Sequence, residues 1–154
     1  MKVHSLLREQ NVPRPRVEVF DFFSKPENLA RITPSSLGFV ILTPTPIAMH
    51  AGTVIDYTIR VTGLRLHWTT LISAFEPPHR FVDIQLCGPY AFWHHTHTFE
   101  ETKVGTLIKD DVQYALPLGP LGDIAHTLVV QRQLQHIFNY RYGIIDQIFS
   151  EKRD

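Results

Sequence analysis

The sequence predicts an α+β fold in which a curved antiparallel sheet wraps around one long C-terminal helix, with two short helices after the first strand. Three observations carry that prediction. Between about Ile41 and Ala115 apolar and polar residues alternate with period two, broken only at turn signals. From about Leu121 the period becomes helical and stays so almost to the end of the chain. Ahead of the alternating region, apolar residues recur every third position in two brief runs.

The elements follow in chain order. Lys2 to Val12, with Val3, Ser5 and Leu7 on one parity, reads as a strand that ends at Pro13 and Pro15, which no central strand accepts. Val17, Phe20 and Phe23 then give a short helix, and Leu29 and Ile32 a second one that Thr33-Pro34 stops. In the alternating region Ile55, Tyr57, Ile59 and Val61 oppose Asp56, Thr58 and Arg60, and turns fall at Gly63, Pro77-Pro78, Gly88-Pro89 and near Gly105. The strands are therefore Ile41 to Leu42, Thr53 to Thr62, Leu66 to Phe75, Phe81 to Leu86, Ala91 to Glu100 and Thr106 to Ala115. Connections this short join only antiparallel neighbours. After Pro117-Leu118-Gly119-Pro120, the residues Ile124, Leu128, Leu134, Phe138, Ile145 and Phe149 form one apolar stripe, while Arg132, Gln135 and Arg141 are expected elsewhere on the helix. A helix from Leu121 to about Glu151 is ~45 Å long at 1.5 Å per residue and needs an extended apolar partner. The sheet is the only candidate, and a sheet this wide coils.

Composition narrows the function classes. A chain of 154 residues suits one domain, here taken as 1–154, with a core that needs no disulfide or metal staple. Fifteen basic residues balance fifteen acidic ones, so no net field recruits nucleic acid or an anionic membrane. The lone Cys87 makes no internal disulfide, and the opening residues Met1 to Ser5 lack a secretory apolar run, so a cytoplasmic setting is expected. No apolar stretch reaches the roughly 20 residues of a membrane span. Nothing calls for a cofactor. The oligomeric state is not legible, and a homodimer stays open.

Several segments resemble the START-like or SRPBCC superfamily, which includes bacterial polyketide cyclases, lipid-transfer domains and plant ligand-binders of the birch-pollen-allergen type. They are Val19-Phe20-Asp21-Phe22-Phe23 with Pro26-Glu27-Asn28-Leu29, the run Phe75 to Phe81, and Gly88-Pro89-Tyr90 leading to Trp93-His94-His95-Thr96-His97 and Phe99-Glu100. Gly105-Thr106, Tyr114-Ala115-Leu116-Pro117 and Gly119-Pro120-Leu121-Gly122 complete the set. The pattern is closest to a bacterial subgroup of small stand-alone ligand-binding domains. The resemblance covers nearly the whole chain and implies a helix-grip fold with an internal cavity, without implying a substrate.

Strand parity selects the side chains that face such a cavity. Trp93 and Phe99 are the inward anchors of their strand, so His95 and His97 point inward and His94, Thr96 and Thr98 outward. On the next strand Asp110 shares a face with Ile108, Val112 and Tyr114. The preceding strand is ambiguous, since parity with Phe81 turns Asp83 and Gln85 inward and parity with Val82, Ile84 and Leu86 turns them out. Tyr57, Trp68, Phe39 and Phe138 are core or cavity wall. Two readings of the polar set stand side by side. In one, His95 or His97, polarised by Asp110 or Asp83, is a general acid or base on a bound carbonyl compound. In the other, these groups satisfy one another as a polar patch in a binding cavity. His95 and His97 lie about 7 Å apart along the strand, close enough to share a metal, but a third ligand from Asp110 or Asp83 is then required and no metal is expected. Cys87 reads as a small packed thiol, and His126 and His136 as ordinary helix-face residues. Thr43 to Pro46 and Leu116 to Gly122 are rigid turns or the rim of a cavity mouth.

The function expected is binding of a small hydrophobic or aromatic molecule, lipid-, polyketide- or flavonoid-like. The alternatives are a cofactor-independent cyclase, dehydratase or hydrolase using His95, His97 and Asp110, and a non-catalytic domain that binds a protein through the outer face of the sheet.

Overall fold

The structure, a computed structural model, describes residues 1–150. Seven strands form one antiparallel sheet in the order β1-β7-β6-β5-β4-β3-β2. They are β1 (His4–Val12), β2 (Val40–Ile41), β3 (Val54–Val61), β4 (Leu64–Glu76), β5 (Arg80–Cys87), β6 (Phe92–Thr102) and β7 (Gly105–Ala115). Helix α1 (Arg16–Phe23) and 3₁₀ turns at Pro26–Ile32 and Ser35–Leu37 connect β1 to β2. The first strand turns Leu6, Gln10 and Val12 inward, and the Val3/Leu7 parity faces solvent.

The C-terminal helical run differs from the expected uninterrupted helix. Helix α2 (Pro120–Ala125) passes through a π-helical turn at His126–Val130 into α3 (Gln131–Ser150). A π turn takes in one residue more than an α turn and offsets the faces on either side of it. Leu134, Phe138, Ile145 and Phe149 form the buried stripe, whereas Ile124 and Leu128 point to solvent, correcting the longer stripe. Arg141 and His126 are buried, against the expectation that both sit on ordinary outer faces. The expected end at Glu151 lies outside the described residues. No helix among the described residues is long and apolar enough to cross a membrane.

Two apolar clusters hold sheet and helix together. Phe20 of α1 packs edge-on against Phe81 and Phe99 while Ile145 and Phe149 close over them, so one end of the fold is a solid aromatic core. Val112, Tyr114, Leu134 and Phe138 form the second cluster near the start of α3. The sheet is locked to the β1–α1 connection at Gly105. A Cβ there would collide with the Val12 carbonyl oxygen and press on Pro13 and Arg14, and the backbone φ of +152° is one that side chains with a Cβ rarely adopt. In β4 the pairing shifts between Ile72 and Ala74, so Trp68, Thr70 and Ile72 face inward on one parity and Phe75 on the other.

Candidate functional site

Gln10 of β1 ties the sheet to α3 by donating from Nε2 to the Tyr142 carbonyl at 2.9 Å, and beside this contact a two-lobed cavity lies between helix and sheet. The lobe under α1 has about 850 Å³ and that under α2 about 1240 Å³, each counted out to its open mouth. Leu29, Phe39, Tyr57, Trp68, Trp93 and Arg141 border both lobes, which are therefore neighbours. Tyr57, Trp68 and Trp93 build most of the shared wall, with Trp68 stacked on Tyr57 at 5.9 Å and edge-on to Trp93 at 5.2 Å. Burial pushes the Tyr57 hydroxyl far above its ordinary range against the opposing hydrogen bond to Thr70, so it stays a neutral group in the wall.

The polar side of the cavity follows from strand register. Alternation along β6 puts Trp93, His95 and His97 on the inner face. Antiparallel pairing sets Asp83 of β5 opposite His95 and Asp110 of β7 opposite His97. The Phe81 parity is the one that faces inward, which settles the ambiguous strand in favour of Asp83. The four side chains close into a ring. His95 Nε2 donates to Asp110 Oδ1 at 2.8 Å and His97 Nε2 to Asp83 Oδ2 at 2.8 Å. His95 Nδ1 lies 3.4 Å from Asp83 Oδ2. His97 Nδ1 lies 3.0 Å from Asp110 Oδ1, too bent for a well-formed hydrogen bond. The imidazoles lie 3.7 Å apart between centroids, and Trp93 Nε1 donates to Asp83 Oδ1 at 3.2 Å.

Charge within this quartet is uneven. Burial pushes both carboxyls up, but the imidazoles outweigh it and hold Asp110 and Asp83 below their ordinary values, Trp93 assisting at Asp83. Burial and then repulsion from His97 press His95 down against the pull of the carboxylates. At His97 burial is again the largest single influence, yet the nearby carboxylates of Asp110 and Asp83 together exceed it and move the ring up. Two cationic rings at this separation would repel, so the pair takes up a first proton more readily than a second, and His97 is the ring that favours it.

Of the residues singled out from the sequence, Tyr57, Trp68, Trp93 and His95 line both lobes, Asp83 and His97 the first and Phe138 the second. Asp110 stands behind the imidazoles, away from the cavity side. Gln85 is tied to the β5–β6 turn, its Nε2 donating to the Tyr90 carbonyl at 2.7 Å and its Oε1 accepting from the Tyr90 N–H. Tyr114 lies in the second apolar cluster, with its hydroxyl hydrogen-bonded to His126 Nε2 at 2.7 Å. Leu116 to Gly122 does rim the second lobe, Thr43 to Pro46 lines neither, and Cys87 is exposed rather than packed.

Arg141 escaped the sequence reading. Its guanidinium lies 4.8 Å from the Phe138 ring centroid and borders both lobes. It is 8% exposed, Nε has no hydrogen-bond partner, and no ion pair engages it among the described residues. The signal that could have found it is spacing, since Leu134, Phe138, Arg141, Ile145 and Phe149 recur at intervals of three and four, one face of a helix.

No protein-family model matches the chain, and no curated protein matches it in sequence. Solved structures do share its fold. TTHA0849 from Thermus thermophilus superimposes with a TM-score of 0.74 at 16% identity, over 94% of this chain and 95% of that one. Ara h 8.0201 gives 0.63 at 20% identity, over 94% and 99%. The di-domain ARO/CYC BexL from the BE-7585A biosynthetic pathway gives 0.74 at 18% identity, over 99% of this chain and 51% of that protein. At these identities the likeness is one of fold, and the chain has the helix-grip fold, a curved antiparallel sheet around a long C-terminal helix.

Proposed function

We propose that this protein binds a small hydrophobic or aromatic molecule, lipid-, polyketide- or flavonoid-like, in the cavity between sheet and C-terminal helix. One observation carries the reading: two neighbouring aromatic-walled lobes with one polar side lie between helix and sheet, where a core would otherwise close. Apolar parts of the molecule lie against Trp68, Trp93, Tyr57 and Phe138. A polar end is held at the His95/His97 wall or at Arg141, whose free N–H groups suit an oxygen acceptor. The BexL structure, an ARO/CYC of a biosynthetic pathway, supports a small-molecule occupant. The single cysteine and balanced charge support a cytoplasmic setting without a nucleic-acid partner.

The chain's two tryptophans, Trp68 and Trp93, both stand in the shared wall, so its intrinsic fluorescence reports occupancy. A panel of fatty acids, flavonoids and polyketide-like aromatics is expected to contain members that change this emission saturably. The same members should raise the melting temperature, by about 2.7 kcal/mol of stabilisation at a hundred times Kd. A panel that changes neither signal overturns the reading.

A catalytic reading, in which His95, His97 and Asp110 move protons on the bound molecule, has the place of the quartet beside the cavity in its favour. His95→Ala separates the two. A carrier keeps most of its affinity, whereas an enzyme still binds but loses turnover on the order of a hundredfold or more.

A further inference from the structure

We propose that Asp83, His95 and His97 are the protein ligands of a divalent transition-metal ion of the zinc class, seated on the cavity wall with Asp110 behind it. One ligating atom from each residue lies within 4.8 Å of the other two. Asp83 Oδ2 is 2.8 Å from His97 Nε2 and 3.4 Å from His95 Nδ1. The opposite nitrogens of both rings lie near a single oxygen, Asp110 Oδ1, His95 Nε2 hydrogen-bonded to it at 2.8 Å and His97 Nδ1 at 3.0 Å and a bent angle. A carboxylate on the far nitrogen of a metal-binding imidazole fixes its tautomer and aims its lone pair. Here one carboxylate addresses two rings. With His95 protonated at Nε2 toward Asp110 and His97 at Nδ1, which has no other partner, His95 Nδ1 and His97 Nε2 present lone pairs that converge with an oxygen of Asp83. A proton can join two of these three acceptors, while a metal ion satisfies all three.

The surroundings have the same logic. Trp93 Nε1 occupies Asp83 Oδ1 and leaves Oδ2 for the ion. Asp83, His95 and His97 line the first lobe, so a further coordination position opens toward the cavity, as at catalytic metal sites with three protein ligands. Arg141, the cation bordering the same space, forms no ion pair with either carboxylate, and among the described residues no arginine or lysine pairs with Asp83 or Asp110. Metal–ligand bonds near 2.1 Å place tetrahedral donors about 3.4 Å apart, so the Asp83–His95 pair already has that spacing and the Asp83–His97 pair must widen by about half an ångström. Two imidazoles and one carboxylate suit zinc, cobalt or nickel over magnesium or calcium.

The test uses full-length protein freed of any affinity tag and stripped with a chelator. It is titrated with Zn²⁺ against a chromophoric competitor, and separately with Co²⁺, whose visible spectrum reports coordination number. One equivalent is expected to bind more tightly than about 1 μM, with the intense bands of four- or five-coordinate Co²⁺. Asp110→Asn should weaken binding about 10- to 100-fold, and Asp83→Asn and His97→Gln should weaken it further. His94→Gln and His136→Gln, which change histidines outside the trio, should leave it unaltered. Circular dichroism of each variant separates a lost site from a lost fold, and where a variant does not fold the wild-type Co²⁺ spectrum decides. Sub-stoichiometric binding, a six-coordinate spectrum, or equal loss in the His94 or His136 variant overturns the proposal. The ligand panel is read on metal-free protein, so the binding reading and the metal site fail separately.

Discussion

Tyr114→Phe isolates one bond at the edge of the cavity. The hydroxyl of Tyr114 on β7 is hydrogen-bonded at 2.7 Å to Nε2 of His126, which begins the π turn and stacks on His4 at 3.5 Å. Phenylalanine keeps the ring and its contacts with Tyr90 and Trp93, so only the oxygen is lost. His126 is buried, and its Nε2 is then left without a partner. An orphaned buried polar group costs about 1–3 kcal/mol, and at this chain length each kcal/mol lowers the melting temperature by about 2–4 °C. A drop of about 2–12 °C follows, to be read by calorimetry at pH 8. His126→Leu alone should cost a similar amount by orphaning the hydroxyl, while the double variant should cost less than the two singles together, by about 1 kcal/mol of coupling. Additive losses, or a Tyr114→Phe protein that melts with the wild type, would refute the view that this bond ties β7 to the start of the helix.

Further predictions concern the same end of the fold and the cavity. Burial, His4 and Lys2 hold His126 below its ordinary value, with Asp123 opposing, so folding favours the neutral ring. That contribution is whole above the unfolded value of about 6.5 and is lost as pH falls below it, so melts between pH 8 and 5 should decline more steeply in wild type than in His126→Gln. Gly122→Ala drives a Cβ into the Pro117 carbonyl oxygen and against Leu116, which should displace the rim of the second lobe and weaken large ligands before small ones in the fluorescence titration. Phe138→Ala should cost about 3 kcal/mol in chemical denaturation and join more space to the second lobe, raising affinity for bulkier panel members. Arg141→Leu should leave stability within about 1 kcal/mol, since it removes a cation that no carboxylate pairs, while selectively weakening ligands that end in a carboxylate.

The sequence was most legible where one parity was marked by large anchors. On β6, Trp93 and Phe99 declared the inner face, and His95 and His97 followed with them. On β5 the same argument stalled, because Phe81 and Val82 are both buried and adjacent residues on a strand face opposite ways. In β4 the bulge before Ala74 changes parity within one strand, which alternation alone does not announce. Along the helix, Arg141 is expected off the stripe although its spacing from Phe138 and Ile145 fits it, and arginine is seldom buried without a partner. The Tyr114–His126 bond joins a strand end to a helix start through folding geometry that periodicity does not carry. Ile124 and Leu128 kept the helical period while the π turn carried them to the outside.

The quartet is poor material for stability. Each buried ion costs several kcal/mol to desolvate, and well-packed apolar residues of like volume often do as well or better in its place. The fold has such packing close by, in the Phe20, Phe81 and Phe99 cluster, and extending it across β6 would have asked nothing new of the chain. Two imidazoles and two carboxylates instead sit on three adjacent strands at positions that pairing brings face to face. A slip of one residue in β6 would turn both histidines outward and leave Asp83 and Asp110 unpaired in the interior, so the register that folds the sheet is also the register that assembles the site. Gly105 helps hold it, because the turn from β6 to β7 packs against the β1–α1 connection too closely for any side chain. Local sequence preference and global packing disagree at these positions, and in a folded protein such a disagreement marks where chemistry or recognition is placed.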